Sequence, residues 1–145
     1  MRPLLFIVVP VLMLLCASCK SHYGLQTAEA LISPPPSTQE TVKQLAVSHP
    51  HYKISIHNTQ YPYDYTSLTI TSDKTRKKTP ISGTLSIQDT RDGHWAYFSS
   101  VWKLSEVNGA EQKEAANHLA KEIFTSLQQR WQLSRIRYKH YNLCN

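Results

Sequence analysis

Apolar and polar residues alternate cleanly over residues 81–88, where Ile81, Gly83, Leu85 and Ile87 interleave with Ser82, Thr84, Ser86 and Gln88. A period of two predicts a strand with one face on a core. Residues 89–93, ending in Gly93, read as a turn, and residues 94–104 (HWAYFSSVWKL) supply its hairpin partner. In that partner Trp95, Tyr97 and Val101 oppose Phe98, Trp102 and Leu104, so cover is expected on both faces. Upstream, Tyr52, Ile54 and Ile56 alternate with Lys53, Ser55 and His57, and Leu68 with Ile70 makes a shorter strand.

The period changes to three and four after Asn108. Ala116, Leu119, Ala120, Ile123, Phe124, Leu127 and Trp131 form one apolar stripe, and Asn108 with Glu111 matches a capping box. Glu114, Lys121, Glu122, Gln128 and Gln129 occupy the other side, so this helix should lie across a sheet. A shorter helix is expected from Ser37 or Thr38, through Val42, Leu45 and Ala46, to a stop at His49-Pro50. Residues 134–141 (SRIRYKHY) read as a last, basic strand. Together these predict an α+β fold: a mainly antiparallel sheet of three to five strands covered by a C-terminal amphipathic helix, in two layers.

Residues 20–40 show no strong period and carry Pro34-Pro35-Pro36, a composition that stiffens chain as polyproline II. They read as a tether of up to roughly 50 Å if extended. The alternative is that residues 28–32 pack against the domain or a partner. Residues 4–15 (LLFIVVPVLMLL) are continuously apolar behind Arg2. A bilayer-spanning helix needs about 20 such residues, so the run fits the core of a signal peptide.

The adjoining segment, Leu15-Cys16-Ala17-Ser18-Cys19, resembles the lipobox of bacterial lipoproteins. The resemblance implies cleavage after residue 18 and acylation of the Cys19 thiol; Lys20 in the next position implies sorting to the outer membrane. Cys16 stands where a branched aliphatic is usual, and ordinary signal-peptidase cleavage nearby is the alternative. The expected organisation is a signal at 1–18, anchor and tether at 19–40, and one domain at 41–145. Cys144 would then be the one free thiol, either inert or joined to another chain.

Loss of Arg2 with the signal lowers the formal net charge of +6 by one. A basic exported chain points to anionic partners such as lipid phosphates, and export argues against nucleic acid. Lys74, Arg76, Lys77 and Lys78 fall between two predicted strands and could hold phosphates or a partner, or simply solvate a loop. Arg135, Arg137 and Lys139 would share a face of the last strand. Tyr61, Tyr63 and Tyr65 interleave with Pro62 and Asp64 as a candidate docking loop.

His49, His51 and His57 lack the spacing of a metal site, and no metal or other cofactor is expected. Ser99-Ser100 lacks the glycine pattern of a nucleophile elbow, and no paired carboxylates or nucleophile and base are marked locally. The expectation is therefore a non-enzymatic protein.

The order of elements from residue 65 to residue 131, with the hairpin Leu85-Ser86-Ile87-Gln88-Asp89-Thr90-Arg91-Asp92-Gly93-His94-Trp95, resembles small outer-membrane lipoproteins, including the LPS-assembly lipoprotein (LptE) family. The resemblance implies a domain in the periplasm that assists assembly or stability of an outer-membrane complex, with LPS transport as one such process. A pilotin or accessory lipoprotein of a secretion or conjugation system fits the same pattern. A periplasmic lipid- or ligand-binding module, which a cavity between Trp102 and Phe124 would favour, is a further alternative. Cys19 alone carries over as a functional residue.

Overall fold

The computed structural model describes residues 22–60, 65–72, 81–103 and 109–144. Its elements run β1 (His22–Ser33), α1 (Thr38–Ser48), β2 (Tyr52–Thr59), β3 (Tyr65–Ser72), β4 (Ile81–Thr90), β5 (Gly93–Lys103), α2 (Gly109–Gln128) and β6 (Gln132–Cys144). The six strands form one sheet in the order β2-β3-β4-β5-β1-β6, with every neighbouring pair antiparallel. The α+β class holds, and the sheet exceeds the three to five strands expected.

The additional strand is β1. It pairs with β5 from Tyr23↔Lys103 to Leu31↔Trp95, and with β6 along its other side. The tether reading is thus corrected over residues 22–33, which are interior sheet. Pro34, Pro35 and Pro36 form a short link to α1, with Pro36 buried, and are no spacer. The alternative that residues 28–32 pack against the domain is the one the fold adopts: Ala28, Ala30 and Ile32 belong to the core.

One face of the sheet carries both helices. Ala28 and Ala30 of β1, Leu68 and Ile70 of β3, Leu85 of β4, and Ala96, Phe98 and Trp102 of β5 meet Ala116, Leu119, Ala120, Ile123, Phe124 and Leu127 of α2. The stripe read from the helix is its buried face, and small alanines on β1 and β5 let α2 settle close to the sheet. Helix α1 is held at its start by a full capping box: Ser37 Oγ accepts from Glu40 N at 3.2 Å, and Glu40 Oε2 accepts from Ser37 N at 2.9 Å. Its buried residues are Thr41 and Leu45, whereas Ala46 is exposed.

The two helices are joined by a polar clip: Gln44 Nε2 donates to Ser126 O at 3.0 Å and Ser126 Oγ to Ser48 Oγ at 2.7 Å. The β4–β5 turn closes at Gly93, whose φ of +122° suits glycine, with Thr90 Oγ1 donating to Gly93 O at 2.9 Å.

Nothing among the described residues covers the opposite face, which corrects the expectation for β5. Phe98 and Trp102 are core, while Trp95, Tyr97 and Val101 lie on the open side, Val101 being 57% exposed.

Candidate interaction surfaces

Strand alternation and register arrange the open face into rows across β5, β1 and β6. Starting from the N-terminal end of β1, these are Lys103–Tyr23–Leu143, Val101–Leu25–Tyr141, Ser99–Thr27–Lys139 and Tyr97–Glu29–Arg137. Apart from Lys103, the first two rows are apolar or aromatic, with Tyr141 and Leu143 43% and 41% exposed. On β2, β3 and β4 the same face is a polar field of Ser55, Ser67, Thr69, Thr71, Ser82, Thr84 and Ser86. The open face thus carries apolar and aromatic side chains on β5, β1 and β6 and hydroxyls on β2, β3 and β4, of which Ser67 and Ser86 are buried.

The basic stripe of β6 is divided by a bulge. Glu29 pairs with Arg137 and Leu31 with Ser134, so Arg135 and Ile136 both stand opposite Ala30. Arg135 has φ of 53°, and the expected common face of Arg135, Arg137 and Lys139 is corrected accordingly. Arg137 and Lys139 lie on the open face, where Arg137 approaches Glu29 at 3.8 Å; Arg135 is the inserted residue. A bulge and three cations on this edge strand also oppose pairing with a second copy of itself.

At the far end of the sheet a groove of about 1050 Å³ opens between the start of α1 and the helix-facing ends of β2, β3 and β4. Leu68, Leu85 and Ile87 contribute apolar lining, while Asn58, Gln88 and His94 contribute polar groups. Asp89 and His94 approach at 3.7 Å on its rim. Tyr65, from the candidate docking loop, also lines it and is 51% exposed. Sequence reasoning missed this groove because its walls come from five separated segments.

A smaller hollow of about 370 Å³ lies between α2 and β6, lined in part by Gln26, Lys113, Asn117, Tyr138 and His140. His140 stacks on Trp102 at 5.6 Å, and Trp102 Nε1 and His140 Nδ1 are buried without hydrogen-bond partners. Burial pushes the Tyr138 phenol above its ordinary value. Neither Trp102 nor Phe124 lines these two hollows; both rings are part of the core.

Cys19, Lys74, Arg76, Lys77, Lys78, Tyr61 and Tyr63 lie outside the described residues. The flanks of the basic segment are described: Ser72 and Ile81 pair with each other at the end of the sheet where β1 begins. Of the histidines considered for metal, His49 stacks on Tyr52 at 4.4 Å, and His51 and His57 are exposed. Among the described residues no three His, Cys, Asp or Glu side chains converge on a metal position. Ser100 is buried and donates from Oγ to Ser82 O at 2.6 Å, a bond within the sheet.

A comparison with protein-family models finds no match to this chain, and a search among curated proteins finds none. No helix among the described residues is long and apolar enough to cross a membrane.

Proposed function

We propose that the chain is a non-enzymatic envelope lipoprotein, anchored through acyl groups on Cys19, that helps assemble or stabilise an outer-membrane complex, with LPS transport the first process to examine. The observation that carries this reading is how few residues separate the lipobox-like Cys19 from the first strand along the sequence. Only Lys20 and Ser21 separate it from His22, the first residue of β1. Three residue steps span at most about 11 Å, so acyl chains on Cys19 would hold the folded domain against the bilayer surface. Two acyl chains give stable attachment at about 0.8 kcal/mol per buried CH₂. Ser72 and Ile81 pair at the same end of the sheet, and the sequence between them carries Lys74, Arg76, Lys77 and Lys78, cations that anionic lipid or LPS phosphates would attract.

The far end would then face the periplasm and the partner. Tyr65 and the groove beside α1 present an aromatic ring with mixed polar and apolar surface, a composition suited to a protein contact. A β-barrel and a secretion or conjugation channel are the two partner types this arrangement serves. The size of the groove favours one second reading, a periplasmic lipid- or ligand-binding module.

Photocrosslinking in intact cells from positions 65 and 77, followed by mass spectrometry, tests the proposal. Capture of a defined barrel or channel subunit is expected. Absence of any protein adduct, with a small molecule retained in the groove, would replace the accessory role with ligand binding.

A further inference from the structure

The apolar rows of the open face lie where β1 begins. Lys103, Tyr23 and Leu143 form the first row, and Val101, Leu25 and Tyr141 the second; Lys139 occupies the third beside Thr27 and Ser99. None of these nine residues is acidic. The nearest carboxylate on this face of the three strands, Glu29, lies in the fourth row with Arg137 3.8 Å away. Three of the most exposed large apolar side chains, Val101, Tyr141 and Leu143, fall within these two rows. The chain enters β1 at this corner, with Cys19 three positions before His22.

From this arrangement we infer that the first three rows of β5, β1 and β6 form a lipid-docking surface that rests on the headgroup layer of an anionic membrane. The inference rests on the Cys19 anchor proposed above and specifies which face that anchor turns toward the bilayer. Charge and shape both select a lipid surface. Tyrosine rings place a phenol among headgroups and an apolar body below them, while Lys103 and Lys139 meet phosphates. Leu143, Val101 and Leu25 supply the apolar contact.

Three strands span only about 10 Å, so the patch is too small to hold the protein on a membrane alone. Its role is to orient a domain that the acyl chains already retain. The groove beside α1 opens on the helix side near Ser33, the other end of β1, and remains clear. Tyr23 and Leu31 are eight steps apart, roughly 26 Å along the strand, which separates the lipid end from the partner end. A second copy is the competing occupant, and the cations on the same patch oppose it.

The test uses the full chain recovered from cell membranes and reconstituted into vesicles containing phosphatidylglycerol and a phospholipid with a photoactivatable acyl chain. Peptides carrying Val101, Tyr141 and Leu143 should gain lipid adducts at least fivefold more often than the peptide carrying Val47, which is 74% exposed on α1. Val101→Ser with Leu143→Ser should remove that preference while circular dichroism stays native. Lys103→Gln with Lys139→Gln should weaken it in phosphatidylglycerol vesicles and leave phosphatidylcholine vesicles unchanged. Adducts spread equally over Val47 and Val101 while the N-terminal peptide carries acyl mass would overturn the docking surface and leave the anchor standing. Protein-to-protein links through Val101 or Leu143 in place of lipid adducts would assign the patch to a second copy. Unacylated Cys19 with the patch still labelled would separate the two ideas the other way, removing the anchor and retaining the surface.

Discussion

Gly83 lies buried in β4, directly under the Phe98 ring, and an added Cβ would stand 2.2 Å from Phe98 Cζ and 2.3 Å from Phe98 Cε2. Gly83→Ala therefore offers a sign test of the packing. In open space, alanine at an ordinary strand position would stabilise by about 0.5–1 kcal/mol, because glycine loses more backbone entropy on folding. Here the ring must move, and Phe98 is fully buried against the core, so overpacking should cost about 1–3 kcal/mol. That corresponds to a drop in Tm of roughly 4–15 °C for a domain of this size. Phe98→Leu removes the atoms in conflict and should cost on the order of 1–2 kcal/mol through a partly relaxed cavity. The double variant should then be less destabilised than the two single effects added, with coupling on the order of 1 kcal/mol. Urea and thermal unfolding followed by circular dichroism measure all four corners of the cycle. A neutral or stabilising Gly83→Ala, or strict additivity, would refute this register of β4 against β5.

Ser126→Ala should lower stability by about 1 kcal/mol, because it removes the buried hydroxyl that bonds Ser48 and loosens α1 on α2; unchanged urea midpoints would contradict the clip. Hydrogen bonds from the Ser37 backbone and hydroxyl, with a further pull from Arg130, hold the Glu40 carboxyl below its ordinary 4.5. Its contribution is thus present above pH 4.5 and is lost as pH falls through the lower folded-state value, so Glu40→Gln should flatten the acid limb of the Tm profile. Burial and the Glu122 carboxylate push the Tyr52 phenol far above 10. Stability should be intact below pH 10 and fall as the pH rises beyond it, and Tyr52→Phe should remove that fall in alkaline unfolding titrations.

Strands β2, β3 and β4 and both helices were legible because apolar residues recur at the period of each element, as in Tyr52, Ile54 and Ile56 or Leu119, Ile123 and Leu127, and the β4–β5 turn because Gly93 ends it. Strand β1 was not. Its core positions are Gly24, Gln26, Ala28, Ala30 and Ile32, small or polar for the most part, while Leu25 and Leu31 on the open face are more apolar than their buried neighbours. Period-two contrast is thereby nearly cancelled, and three prolines next to it favoured a linker. The open face escaped for a related reason. Trp95, Tyr97 and Val101 are as apolar as core residues, and sequence cannot tell a docking face from a second buried one. The bulge at Arg135 is invisible in composition, yet it moves one of three expected cations out of the stripe. Cys19 and the basic segment rest on local motifs alone, and the described residues nearest to them, His22, Ser72 and Ile81, lie at one end of the sheet.

The anchor is the premise on which orientation and partner both depend, so the mass of the N-terminal peptide recovered from the membrane fraction tests the account most directly. A peptide beginning at Cys19 and carrying diacylglyceryl mass is the predicted result. A peptide that begins elsewhere, or that contains an unmodified Cys19, would contradict it.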